Sequence, residues 1–324
     1  MGQRYGYRSC KTTTWHALML DAQNVKKDFP IFSNHDDLYY FDSASTTQKP
    51  QAVIDSVSSF YSSSNANIHR ALYKIGETAT DAYENVRIKI KSFLNVPDTH
   101  EIVFTKGTTE SINLVSNAWG RKHLKQKNSI IISEMEHHAN IVPWQMIAKE
   151  KQAEVKYIPL SENGELAINT LNKLIDENTK IISIVHQSNV FGTINPVEEI
   201  IKIAKELNIL TLIDGAQSVP HFKVDIEEMG CDFFVFSGHK ILGPTGVGVL
   251  IARKELLESM DPFLGGGVMI DEVTMNGFTW NQIPLKFEAG TANIAQVIGL
   301  GEAIGYVQNV GIEKIYQHEK ELLA

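Results

Sequence analysis

An α/β fold, with a mainly parallel sheet covered by helices on both faces, is the architecture this sequence predicts. Two observations predict it. Short apolar runs of strand length alternate with longer stretches whose apolar residues recur at helical spacing. The clearest pair is Val197, Ile200, Ile201, Ala204 and Leu207, followed by the run Ile209-Leu210-Thr211-Leu212-Ile213. The apolar runs also end on polar residues. That run ends on Asp214-Gly215-Ala216-Gln217, and the next, Phe233-Phe234-Val235-Phe236, ends on Ser237-Gly238-His239-Lys240. In open α/β sheets this carboxyl edge is where ligands bind.

Taken in order, Leu38-Tyr39-Tyr40-Phe41 reads as a first strand, followed by Asp42 and a Ser/Thr-rich turn. Pro50 stands where a helix can begin, because its missing N–H would be unpaired there anyway. Ala82, Val86, Ile90 and Phe93 form the buried face of a long helix, with Asp81, Glu84, Arg87 and Lys91 on its other side. Glu101–Phe104 is a strand, and Gly107-Thr108-Thr109-Glu110 opens a helix running to Ala118. Free N–H groups and two hydroxyls at a helix start suit a phosphate, although a threonine there also serves as a plain N-cap. Ser129–Ser133 is a strand ending in Glu134-Met135-Glu136-His137-His138, before a helix carrying Ile141, Trp144 and Ile147. Strand Val155–Ile158, a helix near Asn169–Ile175 and strand Ile181–Val185 follow, the last closed by His186-Gln187-Ser188-Asn189.

After Lys240, Gly243-Pro244-Thr245-Gly246 turns the chain into strand Val247–Ile251. Gly265-Gly266-Gly267 is a flexible loop and Phe287-Glu288-Ala289-Gly290-Thr291 a polar turn. Ala295–Val310 and the residues from Ile312 onward read as helices. The second runs to Ala324 without a capping glycine or proline, as in a truncated polypeptide.

Composition excludes several classes of function. The 324 residues are 43% hydrophobic and 21% charged, enough for a large core. A net charge of −8 argues against a nucleic-acid surface, and no apolar run is long enough to span a bilayer. Two cysteines, Cys10 and Cys231, make neither a disulfide framework nor a cysteine-rich metal site and suit a reducing compartment, so the cytoplasm is expected. No HExxH, CxxC or EF-hand spacing occurs, and the adjacent pair His137-His138 points its rings apart, so no metal is expected. Arg4, Arg8 and Lys11 precede the first acid, Asp21. A disordered tail or a misassigned start accounts for that leader better than an organelle transit peptide.

Asp214 and Lys240 together carry the chemistry. A carboxylate and an amine on strand tips can hold a pyridine ring from two sides. The acid keeps the ring nitrogen protonated and the amine bonds an aldehyde, as pyridoxal phosphate requires. Singly, the Asp reads as a turn cap and the Lys as a solvated charge. Their joint placement, with Gln217, Ser237 and His239 between them, favours the cofactor. His137, at the same sheet edge, can stack on such a ring or be an ordinary loop histidine.

With these residues in view, the sequence resembles the SUF-type cysteine desulfurases of the class V aminotransferase family. The matching segments are FDSASTTQKP, NIHRALY, FTKGTTESINLV, IISEMEHHANIVPWQ, HQSNVFGTINP, LIDGAQSVPH, FFVFSGHKILGPTGVGVL and FEAGTANI, from about Phe29 onward. Selenocysteine lyases are similar too. The resemblance implies pyridoxal 5'-phosphate-dependent fold type I, with a seven-stranded sheet. It implies an unmatched segment 1–28, a large cofactor domain 29–294, and 295–324 as connecting helices opening an incomplete C-terminal α+β domain.

It also implies roles. Lys240 would bond the cofactor aldehyde and later act as general base; Asp214 would pair with the ring nitrogen, with a depressed pKa; Gln217 would reach the ring oxygen. His137 would stack on the ring. Thr108, Thr109, Ser237 and His239 would hold the phosphate, and Thr291 would reach the phosphate of a partner subunit in a homodimer. Asn189 would lie near the substrate carboxylate, with His69 and Arg70 at the entrance. The implied reaction converts L-cysteine (or L-selenocysteine) to L-alanine, leaving a persulfide whose sulfur passes to a SUF-system acceptor protein for iron–sulfur cluster assembly. The family's nucleophilic cysteine lies beyond residue 324 in this pattern, and neither Cys10 nor Cys231 takes its place. A shortened paralogue keeping the cofactor fold as an interaction module is the competing expectation.

Overall fold

The computed structural model describes residues 20–69 and 72–324. The basic leader with Cys10, and Arg70, lie outside the described residues. Seven strands form the central sheet: β1 (His100–Thr105), β2 (Ser129–Ser133), β3 (Glu154–Ile158), β4 (Thr179–Val185), β5 (Leu210–Asp214), β6 (Phe233–Ser237) and β7 (Gly248–Arg253). Their spatial order is β1-β7-β6-β5-β4-β2-β3. Only β7 runs against the rest, pairing antiparallel with β1 and β6.

Successive residues of a strand point to opposite faces, so an apolar run feeds two cores at once. Ile131, Ile182, Ile213, Phe234 and Phe236 enter one core. Their neighbours Ile130, Ile132, Ile181, Leu212, Phe233 and Val235 enter the other. This is why the strands read as unbroken hydrophobic runs rather than alternating ones. Helices Gln51–Ser59, Lys74–Phe93, Val197–Glu206 and Ile294–Val310 cover the first face. On the second lie Thr108–Leu114, continued through Gly120 by wider π-type turns, and Val142–Lys151, which buries Trp144 and Ile147. Helix Val197–Glu206 shows the logic well: Val197, Ile200, Ile201 and Ala204 are buried while Glu198, Glu199 and Lys205 stay in water. Each buried isoleucine there contributes roughly 1.5–3 kcal/mol over an exposed one.

Two expectations are corrected, and one element is new. Leu38–Phe41 is not a strand; no neighbouring strand offers it a ladder, and Tyr39 and Phe41 are 80% and 93% exposed. Arg87 is not on a solvent face but buried, donating to Glu288 at 2.7 Å and to the Ile102 carbonyl at 2.7 Å. An antiparallel hairpin, β8 (Ile270–Thr274) with β9 (Gly277–Trp280), stands apart from the main sheet; Ile270 opposes Trp280 and Val273 opposes Phe278, but its residues are mostly exposed and it is not among the elements expected from the sequence. The helices from residue 294 onward form as expected, as Ile294–Val310 and Ile312–Leu323.

Candidate active site

Parallel strands bring their carboxyl ends to one edge, and five of them deliver a chemical group there. Thr108 and Thr109 follow β1, His137 follows β2 and Asn189 follows β4. Asp214 and Gln217 close β5, while Ser237, His239 and Lys240 close β6. All nine line one cavity of about 330 Å³, together with Ala44, Ser45, Ala139, Val185 and Ala216. The expected residues thus converge, with three exceptions. Thr291 lines a separate cleft beside Tyr83, Phe104, Lys106 and Glu288. His69 is not part of the cavity wall, and its Nε2 meets Glu84 Oε1 at 2.9 Å. Arg70 is outside the described residues.

Asp214 and Lys240 hang from neighbouring strands, since β5 and β6 pair in parallel. Asp214 is 3% exposed, and its Oδ1 accepts the Ala216 N–H at 2.9 Å. The turn that lets it do so needs glycine next: a Cβ on Gly215 would stand 2.0 Å from the Phe234 ring. Burial pushes the Asp214 carboxyl above its ordinary pKa, against the Ala216 N–H and the Lys240 charge. The depression is expected only where the protonated ring nitrogen faces Asp214, and without that cation burial sets the direction. The Lys240 ammonium does not offset the desolvation. Burial pulls the Lys240 amine below its usual value, with Asp214 opposing. A lowered amine pKa is what a nucleophilic or basic lysine needs near neutral pH.

His137 Nδ1 accepts the Ala139 N–H at 3.1 Å, which leaves the ring proton on Nε2. Burial and then the Lys240 charge hold this imidazole below its usual pKa, which favours its neutral form. On the phosphate side, the Thr108 N–H donates to Ser237 Oγ at 2.8 Å, and the two hydroxyls lie 2.8 Å apart. The loop after β1 reaches β6 because nothing separates it from β7: a Cβ on Gly248 would lie 2.3 Å from Gly107 Cα. Gln217 Nε2 donates to the Ala44 carbonyl at 2.8 Å, tying the N-terminal segment to the β5 turn.

Two parts of the site were not legible in the sequence. Behind His137, the buried Glu136 carboxylate accepts from Ser133 Oγ, from Asn140 Nδ2 at 2.7 Å and from the Val185 N–H at 3.0 Å. Burial raises its pKa to about 7. The i, i+4 spacing of Glu136 and Asn140 within EMEHHAN is the one local hint of this clamp. Lys49, from the QKP segment, reaches the His239 carbonyl at 3.0 Å; no local pattern signals that contact across 190 residues.

The donor set fits pyridoxal 5'-phosphate. A depressed amine can bond its aldehyde, a carboxylate shielded from water can meet its ring nitrogen, and hydroxyls and N–H groups can meet its phosphate. Fold and site together define a pyridoxal phosphate-dependent enzyme of fold type I. The Aminotransferase class-V family profile matches residues 39–324. A probable cysteine desulfurase of Halalkalibacterium halodurans is 49% identical over 306 residues, covering 94% of this chain and 75% of that protein. A cysteine desulfurase of Synechococcus elongatus is 47% identical over 310 residues, covering 95% of this chain and 50% of that protein. Among solved structures, the cysteine desulfurase CsdA of Escherichia coli superposes with a TM-score of 0.84 at 40% identity, over 91% of this chain and 74% of that one. The apo cysteine desulfurase of Thermococcus onnurineus gives 0.88 at 35% identity, over 94% and 74%. The chain belongs to the class-V aminotransferase family, among its cysteine desulfurases.

Proposed function

We propose that this chain carries the cofactor-binding and carbon-acid chemistry of a SUF-type cysteine desulfurase, acting on L-cysteine to release L-alanine and supplying sulfur for iron–sulfur cluster assembly. The observation that carries the reading is that Lys240 and Asp214 line one cavity from adjacent strand tips. When bound, the cofactor supplies an electron sink for negative charge at the substrate Cα. Asp214 would hold the proton on the ring nitrogen. Lys240 would anchor the aldehyde carbon, and its Nζ would serve as the base for the Cα proton. His137 would stack on the ring, Gln217 would reach its oxygen, and Thr108, Thr109, Ser237 and His239 would hold the phosphate. Asn189 would lie near the substrate carboxylate. Thr291, in its separate cleft, would reach the phosphate of the partner subunit in a homodimer, and His69 and Arg70 would line the substrate entrance.

Cys231 stays out of sulfur transfer. It is 1% exposed, and burial pushes its thiol far above the ordinary range, so no thiolate is presented to a substrate. The thiol that accepts sulfur is a different one, and a sulfur-acceptor protein takes the sulfur onward.

The test is spectroscopic. Protein loaded with cofactor absorbs in the visible through its bond to Lys240, and Lys240→Ala abolishes that band while the protein stays folded. A band of unchanged position and intensity in the variant would remove Lys240 from the reaction. Sulfide and alanine production from L-cysteine with an added reductant tests the substrate.

A further inference from the structure

The carbonyl of His239, in the peptide bond leading into Lys240, is crowded by donors from a segment about 190 residues away. It accepts the Thr47 N–H at 3.0 Å, the Thr47 hydroxyl at 3.0 Å, the Lys49 ammonium at 3.0 Å and the Thr46 hydroxyl at 3.3 Å. A carbonyl oxygen has two lone pairs, so four donors share them, and the peptide plane is fixed from several directions. Thr47 Oγ1 also accepts the Leu242 N–H at 3.0 Å, gripping the chain beyond Lys240 as well. The same segment places Ala44 and Ser45 in the cavity wall, and Gln217 holds it through the Ala44 carbonyl. Burying an ammonium is costly, and desolvation brings the Lys49 pKa down to about 8. A neutral donor would have sufficed to dock a loop. A charged one, at the same 3.0 Å as the Thr47 donors, gives a roughly twofold stronger bond to the carbonyl.

We propose that Thr47 and Lys49 are positioning residues for Lys240, locking the peptide that precedes it so that its amine keeps one register toward both the cofactor aldehyde and the substrate Cα. The inference rests on the assignment of Lys240 made above. Lys240 has two tasks at two different atoms, and its flexible four-carbon stem can serve both only from a fixed backbone. Neither Thr47 nor Lys49 lines the cavity, so neither touches the reacting atoms.

The experiment uses cofactor-loaded protein with Lys49→Met, Thr47→Val and, as a control on the parent assignment, Lys240→Ala. Three readouts are followed: thermal midpoint, the visible circular dichroism of the bound cofactor, and exchange of the L-alanine Cα proton in D₂O. The exchange needs Lys240 as base but no sulfur-accepting thiol. A backbone loosened by about an ångström predicts exchange roughly 10- to 100-fold slower in Lys49→Met, with L-alanine affinity within about threefold of the parent. The visible dichroism weakens, and borohydride still traps the cofactor on Lys240. Thr47→Val moves both readouts the same way by less. A loop that is only docked would shift the midpoint and leave dichroism and exchange alone, and folded Lys49→Met with parental values of both overturns the inference. Should Lys49→Met fail to fold, Thr47→Val is judged by the same two readouts. A visible band retained in Lys240→Ala sinks the parent assignment instead, whatever the other variants do.

Discussion

Replacing Glu136 by glutamine tests whether the carboxyl behind His137 is kept neutral by its surroundings. Its pKa rises from 4.5 to about 7, chiefly through burial, with Asp214 adding repulsion and the three hydrogen bonds opposing. The unfolded chain releases this proton near 4.5, whereas the folded protein keeps it to about 7. Between those values folding takes up a proton, so the contribution of Glu136 is fully present below 4.5 and is lost as pH climbs through 7. The gap corresponds to about 3 kcal/mol. Glutamine has no proton to lose and removes that slope. It brings a fixed cost of its own. Its amide can still accept from Ser133 and Val185, but its NH₂ then faces Asn140 Nδ2. That side chain cannot turn over, because its Oδ1 is engaged by Trp144 Nε1 at 2.9 Å and by Ser183 Oγ. A donor facing a donor in a dry site costs about 1–3 kcal/mol at every pH. The wild-type advantage over Glu136→Gln should therefore shrink by about 3 kcal/mol from pH 4.5 to pH 8, measured by urea denaturation of both proteins across the series. Parallel stability curves over that range would refute the reasoning, since they would mean that Glu136 titrates as an exposed carboxylate.

Three further outcomes follow from contacts in the fold. Arg87→Met leaves the Glu288 carboxylate buried with only the Phe104 N–H and the Tyr83 hydroxyl, and should cost about 3–5 kcal/mol in urea denaturation. Adding Glu288→Gln to it should restore part of that loss. Cys231 should resist thiol reagents in the native protein and react fully in urea, as read by peptide mapping, because its sulfur is buried and its thiol protonated. Gly248→Ala forces a Cβ onto the Gly107 backbone, so it should destabilise the fold by about 1–3 kcal/mol or more and weaken cofactor binding by displacing Thr108 from Ser237.

The sheet was legible because its strands are buried on both faces. A run such as Phe233–Phe236 has no other use for four consecutive apolar side chains, and its polar terminus then stands out against it. Leu38–Phe41 failed by the same rule: aromatic and apolar residues favour a strand only where another strand accepts the ladder, and here the rings lie in water. The hairpin β8–β9 failed in the opposite way. Its residues are mostly exposed on both faces, and the alternation of Phe278 and Trp280 about Thr279 is too short to mark a strand.

The candidate site divides along a different line. Asp214, His137, Ser237 and Lys240 could be placed because each ends a strand or lies within four residues of its end, and a parallel sheet sends every such terminus to one edge. Glu136, Arg87, Glu288 and Lys49 could not, because a charged residue reads as solvated unless its counterpart is known. Arg87 meets Glu288 across 201 residues, and Lys49 meets the His239 carbonyl across 190. These unseen charges hold the visible groups in place: Glu136 ties the His137 turn to β4, and Lys49 ties the peptide before Lys240 to the N-terminal segment. Sequence position therefore identifies the groups that would touch the cofactor, while the groups that orient them depend on contacts that exist only after the sheet has closed. The separation has a measurable consequence. Substituting the first kind should abolish the chemistry with the fold intact, and substituting the second should change how well the same chemistry is aimed.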